Sequence, residues 1–374
     1  MVTSSFVRGK MSTVVMGEPT VVFDFTQNAH LAVITLDTEN MSTRLSAGPE
    51  EYVNEHTFRA IGYYLLVVII AGAAGNSAVI YAFLNCKKLH TPTNLLIVNL
   101  SASDLVVALT GTPLSAYSTF NGRWMFGEIG CSFYGFINYY CGCISLNSLA
   151  AISIFRYYIV VKKLTGPKKI TFRKSWHTVL IIHVYTLIFS TPPLFGWNRF
   201  ILEGYRIGCD IDFRTKTPLY ISYIGYMFIF LFFIPLGIIM FNYWRVFQAV
   251  RQHACTLANS PSARKPGLRK DSMLGFRSHF LRTRTGLILF ITVAVFLVAW
   301  LPYCVVSLWV LLGDPSSISR VATVVPSLFA KSSVVYNPVI YVMLNPQYRK
   351  ALMGSFHSSR PCTKITTAWQ GTST

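Results

Sequence analysis

The chain has 374 residues, of which 52% are hydrophobic and only 13% are charged, and its mean hydropathy is +0.46. This composition argues against a soluble globular protein and favours a membrane protein. The net charge of +19 would suit a nucleic-acid-binding protein, but its distribution along the chain indicates a membrane orientation instead.

The chain begins with a polar segment, residues 1–59, that shows no helical or strand periodicity. We predict a mostly disordered extracellular tail for this segment. It contains the triplet Asn40-Met41-Ser42, an acceptor sequence for N-linked glycosylation. Asn40 is therefore a candidate glycosylation site.

Seven apolar runs follow, each about long enough to cross a bilayer as a helix. They cover residues 60–84, 93–120, 130–161, 176–195, 220–247, 283–312 and 320–344. A short amphipathic segment, 346–356, comes after the last run. The predicted fold class is an all-α membrane protein, with a seven-transmembrane-helix bundle over 60–345, a cytoplasmic amphipathic helix over 346–356 and a cytoplasmic tail over 357–374.

The loops fall into two classes when they are numbered alternately. One side carries 22 Lys and Arg residues and a single acid, Asp271, whereas the other carries 10 Lys and Arg residues and 12 acids. By the positive-inside rule the basic side is cytoplasmic, so we expect a multi-pass protein of the cell membrane with an extracellular N-terminus and a cytoplasmic C-terminus. The basic excess then favours contact with anionic lipids of the bilayer or a partner protein, and no nucleic-acid partner is expected. The longest cytoplasmic loop, 251–282, is rich in Ser, Pro, Gly and basic residues, and we predict that it is mobile.

Two of the eight cysteines lie on the predicted outer side: Cys131 at the start of the third span, and Cys209 in the loop between spans four and five. Since that compartment is oxidising, a disulfide between them is physically reasonable. Most of the others lie in or beside spans, where packed thiols are expected. Cys362, just past the amphipathic segment, is a candidate for palmitoylation or an unmodified thiol.

Lys331 lies near the middle of the seventh span, about 15 Å from either end of the helix. Its side chain is too short to reach water at the membrane surface, and a charged lysine at that depth costs at least ~2.5–3.5 kcal/mol. Three outcomes remain open from the residues alone. The amine is neutral, it is paired with a carboxylate, or it forms a Schiff base with a carbonyl compound.

Polar and proline residues recur once in almost every span. They are Asn76, Asp104, Arg156-Tyr157, Pro235, Trp300-Leu301-Pro302 and the run Asn337-Pro338-Val339-Ile340-Tyr341. In this order, the set resembles the rhodopsin-like G-protein-coupled receptors over roughly residues 60–356. Within that family the chain is similar to the animal opsins, because Lys331 stands at their retinal-binding position. The outer loop GWNRFILEGYRIGCDIDF, residues 196–213, resembles the segment that closes the opsin pocket.

The resemblance implies a light-activated receptor in which 11-cis-retinal is joined to Lys331 as a Schiff base and becomes all-trans after light. The position of the usual vertebrate counterion holds Tyr134, so we expect Glu203 in the outer loop to be the counterion, as in many invertebrate opsins. Such pigments tend to be bistable. Asp212 is expected to support the loop, and the Cys131–Cys209 bond to hold it over the ligand. The implied pocket walls are Tyr134, Gly142, Met227, Phe228, Phe232, Phe296, Trp300, Tyr303 and Ser327.

The resemblance also implies a heterotrimeric G protein as partner, with arrestin and a receptor kinase ending the signal. The coupling and activation residues would be Asn76, Asp104, Arg156, Tyr157, Asn337, Pro338 and Tyr341. The chain departs from the family at Phe155 and Arg282, where relatives carry acidic residues that restrain the arginine equivalent to Arg156. Ala299, in place of the usual Cys before Trp300, is a minor departure. Because both acidic residues are missing, we expect Arg156 to be only weakly restrained at the cytoplasmic side of the inactive state.

Three other functions are compatible with a lysine in the seventh span. A retinal photoisomerase of the opsin family would bind the same chromophore but signal little, and the intact Asn-Pro-Val-Ile-Tyr run and basic third cytoplasmic loop favour signalling instead. A receptor for a diffusible ligand would carry Lys331 incidentally. A microbial light-driven pump would lack the receptor motifs. No enzymatic activity and no metal site are predicted.

Overall fold

A computed structural model describes residues 13–14, 21–23, 33–35, 54–161, 170–258, 269–314 and 318–357. The chain divides into two compact units, Met1–Asn54 and Glu55–Thr374. In the first unit, β1 (Thr13–Val14), β2 (Val21–Phe23) and β3 (Val33–Thr35) form an antiparallel sheet in the order β1-β2-β3. These short strands were not predicted from the sequence. Asn40 lies outside the described residues.

The second unit is a helical bundle, with a helix in every predicted span. Its described helices are α1 (Glu55–Asn85), α2 (Pro92–Phe120), α3 (Gly127–Val160), α4 (Phe172–Ser190), α5 (segments Pro218–Met227, Phe228–Phe233 and Ile234–Ala258), α6 (Arg269–Leu312), α7 (segments Arg320–Lys331 and Ser333–Leu344) and α8 (Pro346–His357). Among the described residues, α1 to α6 are long and apolar enough to cross a membrane. The halves of α7 are individually too short for that criterion because Ser332 interrupts the helix. α8 lies where the amphipathic helix was predicted.

The predicted mobile loop over 251–282 is largely helical where it is described. α5 continues to Ala258, and α6 begins at Arg269, well before the predicted start of its span at residue 283. The physical reason is that hydropathy marks only the part of a helix that lies in lipid, whereas helix-forming residues continue past the membrane surface. The Pro- and Gly-containing stretch 259–268 lies outside the described residues.

Two spans contain short π-helical segments, Val107–Gly111 in α2 and Phe228–Phe233 in α5. Each ends two residues before a proline, Pro113 or Pro235, whose ring nitrogen has no hydrogen to donate to the preceding turn. The backbone amide of Thr112 donates to the carbonyl of Val107, which is the wider π-helical spacing. Such local widening changes the direction in which side chains point, and it is frequent at functional sites.

A second proline adjustment occurs in α7. Pro338 cannot donate to the carbonyl of Val334, four residues earlier. The side-chain nitrogen of Asn76, on α1, lies 2.9 Å from that carbonyl oxygen and donates to it. The same nitrogen also lies 2.9 Å from the carbonyl oxygen of Gly72. Asn76 thus satisfies the backbone group that the proline leaves free and joins α1 to α7.

A two-stranded hairpin covers the end of the bundle that was predicted to be extracellular. β4 (Phe200–Leu202) pairs antiparallel with β5 (Cys209–Ile211), and Leu202 stands opposite Cys209. A disulfide joins Cys209 to Cys131 at the start of α3, with Cα atoms 5.4 Å apart, so the predicted pairing is present. We call residues 200–211 the lid. Because α3 contacts α2, α4, α5 and α6 as well as both lid strands, the disulfide fixes the lid to the centre of the bundle.

Candidate functional site

A cavity lies beneath the lid, between α3, α5, α6 and α7, and has about 1170 Å³ of space that atoms do not occupy, including space open to solvent. Its walls are mainly aromatic and aliphatic, with a few polar groups, as is typical of small-molecule sites. It brings together every residue predicted for the ligand site: Tyr134, Gly142, Glu203, Met227, Phe228, Phe232, Phe296, Trp300, Tyr303, Ser327 and Lys331.

Lys331 and Glu203 form an ion pair in this cavity. The Lys331 Nζ atom lies 2.9 Å from Oε1 of Glu203. The Ser327 hydroxyl, one helical turn before Lys331, donates to the same carboxylate oxygen at 2.7 Å and also accepts from Nζ. Only 15% of the Lys331 side chain and 21% of the Glu203 side chain are exposed. The amine of Lys331 is therefore paired with a carboxylate, which is one of the three outcomes that the residues alone left open.

The lid turn places Glu203 at this position. The Glu203 amide donates to the carbonyl of Gly208 at 3.0 Å, and the Arg206 amide donates to the carbonyl of Glu203 at 2.8 Å. Gly204 follows with φ of 50°, and a Cβ atom there would lie 2.2 Å from Cγ2 of Val324 on α7. Glycine is thus required where the turn presses against α7, and this close approach carries the Glu203 carboxylate to Lys331.

The charge of Glu203 depends on two opposing effects. Burial raises the pKa of its carboxyl group, but the positive charge of Lys331 and the hydrogen bonds from Lys331 and Ser327 lower it more, so the pKa is below the usual value. Glu203 is therefore ionised at neutral pH. The pair satisfies the rule that a buried charge needs a partner of opposite sign.

Tyr134 lies beside the pair but does not replace Glu203 in it. The Tyr134 side chain is 1% exposed, and its hydroxyl has no hydrogen-bond partner within the described residues. A Cβ atom at Gly208 in the lid would lie 3.0 Å from that hydroxyl. Tyr134 therefore contributes a buried, uncommitted hydroxyl at the outer end of the cavity.

Aromatic rings of α6 form the opposite wall. The Trp300 ring stacks on Phe296, with centroids 5.7 Å apart, and makes an edge contact with Tyr303 at 6.0 Å. Its indole nitrogen donates to the Ser333 hydroxyl at 3.1 Å, next to the break in α7. A Cβ atom at Gly142 of α3 would lie 3.0 Å from the Trp300 ring. The missing side chain of Gly142 thus leaves room for Trp300 in the cavity wall.

The comparisons with known proteins agree with this architecture. Residues 75–341 match the model of the "7 transmembrane receptor (rhodopsin family)". The melanopsin of Rattus norvegicus is 33% identical over 88% of this chain and 70% of its own length. The crystal structure of squid rhodopsin superposes with a TM-score of 0.76 at 31% identity, over 82% of this chain and 87% of the squid chain.

The chain belongs to the rhodopsin family of seven-transmembrane receptors, and within it to the animal opsins. A further relative of this opsin is the "Rhodopsin, GQ-coupled" of Mizuhopecten yessoensis, which is 35% identical over 80% of the chain. The matched part spans 60% of that relative's length.

One acidic residue of the opsin cavity, Asp210, was not predicted from the sequence. It lines the cavity directly after Cys209, and its carboxylate accepts a hydrogen bond from the Tyr303 hydroxyl. The only signal in the sequence was its position beside a disulfide cysteine, which does not distinguish a cavity residue from an exposed loop acid. By contrast, Asp212 accepts from the amides of Arg214 and Thr215 and pairs with Arg199, which suits the loop-supporting role predicted for it.

Deeper in this opsin, Asp104 joins three helices. Its Oδ1 accepts from the Ser145 hydroxyl at 2.8 Å, and its Oδ2 accepts from the Asn337 side chain at 2.9 Å. Asp104 and Asn337 are both buried. With the Asn76 contact to Val334, this network connects α1, α2, α3 and α7 around Pro338.

The predicted coupling residues lie farther toward the end of the bundle that was predicted to be cytoplasmic. The Arg156 Nε atom is buried and lacks a hydrogen-bond partner within the described residues, and the neighbouring Phe155 is 7% exposed. Tyr157 packs edge-on against Tyr158, and Tyr341 is buried and stacks on Tyr348 of α8. The Arg282 side chain and Cys362 lie outside the described residues.

Proposed function

We propose that this opsin is a light-activated G-protein-coupled receptor whose chromophore is retinal attached to Lys331. The observation that carries the proposal is the 2.9 Å contact between Lys331 Nζ and Glu203 Oε1 in a large aromatic cavity. An amine in a dry cavity is placed for attack on an aldehyde, and a carboxylate beside it is placed to stabilise the resulting cation. The names of the relatives, rhodopsin and melanopsin, support this function.

The residues that line the cavity fit the proposed ligand. They are mostly apolar, with aromatic rings of α5 and α6 in the walls and the Lys331 amine among the polar groups. Retinal bound there as a protonated Schiff base would supply visible-light absorption and a cis-to-trans change of shape. We propose 11-cis-retinal as the dark form and all-trans-retinal as the form after light.

In this proposal Glu203 holds the positive charge on the Lys331 nitrogen, and Ser327 orients both partners through its two hydrogen bonds. Tyr134 is a neutral hydroxyl near the pair and not the counterion, since a tyrosine is un-ionised at neutral pH. The proposed counterion lies on the disulfide-bonded lid and not on one of the transmembrane helices. This arrangement supports a bistable pigment that keeps its chromophore after light.

Trp300 couples the cavity to the rest of the bundle. It touches the cavity on one side and donates to Ser333, beside the break in α7, on the other. A longer, straighter ligand in the cavity would press on Trp300. The resulting shift of α6 and α7 would also displace the Asp104–Asn337 network. The ligand then shifts a population between two packings of α6 and α7, since only differential fit moves such an equilibrium.

We propose a heterotrimeric G protein as the partner of the active state, with arrestin and a receptor kinase ending the signal. The charge asymmetry of the loops supports a membrane orientation with the N-terminus outside and the C-terminus in the cytoplasm. The long α5 and α6, which extend past the apolar spans, form a natural docking surface for the G protein on the basic side.

The test is to express the protein, add 11-cis-retinal and record absorption spectra in the dark and after light, beside a light-dependent G-protein activation assay. We expect a visible band that light alters, and a G-protein response in the same cells. Lys331→Ala should abolish both, whereas Lys216→Ala, which removes a lysine that bonds the Gly313 carbonyl outside the cavity, should preserve both. A preparation that stays colourless, or a visible band that survives Lys331→Ala, contradicts the proposal. A light-sensitive band without any G-protein response would favour the photoisomerase.

A further inference from the structure

A second carboxyl group, Asp210, stands beside the Lys331–Glu203 pair and has no role in the function proposed above. One of its oxygens, Oδ1, accepts from the amide of Ile211 at 2.8 Å, and the other, Oδ2, accepts from the Tyr303 hydroxyl of α6. These contacts fix the carboxyl group in the cavity wall. They do not neutralise it, because neither partner carries a charge.

Asp210 also separates two cavities. The cavity that contains Lys331 lies on one side, and a smaller one, lined by Leu202, Gly204, Arg214 and Thr323 among others, lies between the lid and the outer ends of α6 and α7. Glu203, Asp210 and Tyr303 line both. A proton that moves between the outer cavity and the ion pair therefore meets these three side chains first.

Several titratable or charged groups face Asp210 or line these cavities with it. They are Glu203 and Arg214 from the loop that carries the lid, Asp104 from α2, Tyr134, Tyr139 and Cys143 from α3, Tyr303 and Cys304 from α6, and Lys331 from α7. Glu203 and Lys331 already form an ion pair. A second negative charge at Asp210 is therefore opposed by Glu203 and only partly offset by Lys331.

The protonation equilibrium reflects this arrangement. Burial, together with the negative charge of Glu203, raises the pKa of the Asp210 carboxyl to about 7, although the hydrogen bonds from Tyr303 and Ile211 act in the opposite direction. The interaction with Asp210 helps to keep the pKa of Glu203 low. Of the two carboxyl groups, Asp210 is the one that holds a proton and releases it near neutral pH.

We propose that Asp210 is a proton-exchanging second carboxyl of the chromophore site, which makes the spectrum of the pigment depend on pH. The inference rests on the proposed attachment of retinal to Lys331. In the protonated form, Asp210 is neutral and Glu203 alone balances the charge on the Lys331 nitrogen. When Asp210 loses its proton to water, a second negative charge stands near that nitrogen and stabilises the ground state of the chromophore, which shifts absorption to shorter wavelength.

The experiment is a pH titration of the dark pigment between pH 5 and 9. For the wild type we expect the absorption maximum to move to shorter wavelength as pH rises, with a midpoint near pH 7, because the pKa of the Asp210 carboxyl is raised to about 7. Asp210→Asn keeps the shape and the acceptor oxygen, and should lose this transition. Glu128→Gln removes an exposed carboxylate at the start of α3 and should keep it.

Tyr303→Phe provides a test with a definite sign. Because the Tyr303 hydroxyl donates to the Asp210 carboxylate and favours its ionised form, loss of the hydroxyl should move the midpoint to higher pH. A wild-type titration without a spectral shift, an Asp210→Asn pigment that titrates like the wild type, or a midpoint that falls in Tyr303→Phe would each overturn the inference.

A second readout needs no chromophore. Infrared difference spectra of the retinal-free protein across the same pH range should show the carbonyl band of a protonated carboxylic acid, and Asp210→Asn should remove it. If the wild type forms no visible pigment, the proposed function fails, while the infrared band still reports on Asp210. If the pigment forms but the infrared band is unchanged in Asp210→Asn, only the second-carboxyl inference fails.

Discussion

At the scale of single residues, the central energetic problem is a lysine at membrane depth. Lys331 is compatible with the bundle because Glu203 and Ser327 surround its amine with acceptors. Removing one member of a buried ion pair is far more costly than the net value of the pair, because the remaining charge is left without compensation. The strongest test of the site is therefore to neutralise Glu203 without changing its shape.

Glu203→Gln should cost the pigment its visible band at neutral pH. The amide keeps the size of the side chain but not its charge, so the nitrogen of the chromophore linkage should lose its proton and absorption should move to the near ultraviolet. The measurement is an absorption spectrum of the reconstituted pigment at pH 7. Tyr134→Phe serves as the comparison and should keep a visible band. A visible band in Glu203→Gln at neutral pH would show that another group, such as the Asp210 carboxylate, can balance the charge.

The residues of this site differ in how readily they could be predicted from the sequence. Lys331 stood out because a charge in an apolar span is rare, and Glu203 because its distance from Cys209 matches a family pattern. Asp210 lies in the same loop, but nothing in its neighbours shows that Tyr303 of α6 would lie against it. Cavity-facing loop acids become recognisable only when the lid register is known, since neighbouring strand residues face opposite sides.

At the scale of elements, α7 depends on a side chain from α1. Asn76→Ala would leave the Val334 carbonyl, freed by Pro338, without its donor. An unsatisfied buried carbonyl costs about 1–3 kcal/mol, so we expect a lower melting temperature of the retinal-free protein in detergent. Asn85→Ala is the control, because Asn85 is exposed and donates only to the Tyr81 carbonyl within its own helix. Equal losses in the two variants would argue against the bridge.

The lid turn gives a second prediction for an element. Gly204→Ala introduces a side chain at φ of 50°, where its Cβ atom would meet Val324. We expect the lid to shift away from α7, with a loss of at least about 1 kcal/mol from the backbone alone, and less pigment formed at a given retinal concentration. The matched variant is Gly225→Ala, since Gly225 is an exposed helical residue with nothing within 4 Å of the added Cβ atom. Its pigment yield should equal that of the wild type.

The seven spans and the amphipathic helix α8 were predicted accurately, whereas the helical extensions beyond the spans were not. Each of the seven spans holds a helix, because only apolar residues are tolerated along a lipid-facing helix. The extensions of α5 and α6 and the π segments were not predicted. Hydropathy carries no information about helix beyond the membrane or about a local change of hydrogen-bond spacing. The lid hairpin was expected only as a plug over the pocket.

At the scale of the whole molecule, the two ends of the bundle are held differently. The end that was predicted to be extracellular has the disulfide, the lid and the Lys331–Glu203 ion pair. Toward the other end, Arg156 follows the apolar Phe155, and its Nε atom has no partner in the described part of the chain. In the coupling role predicted for Arg156, an anion beside its guanidinium group would stabilise the inactive packing of the helices. Without the anion, the equilibrium between inactive and active packings is less biased.

We therefore expect the retinal-free protein to activate a G protein in the dark. A coupling free energy of about 1–3 kcal/mol changes the equilibrium between inactive and active packings about 5–150-fold. The loss of one anionic partner of Arg156 should therefore give a measurable change in the dark signal. Phe155→Glu places a carboxylate beside Arg156 and should lower the dark signal, whereas Phe155→Leu keeps an apolar side chain and should leave it unchanged. The assay is G-protein activation in dark cells without added retinal, normalised to surface expression. A wild-type signal equal to that of mock-transfected cells would show that other contacts hold the inactive packing without an anion beside Arg156.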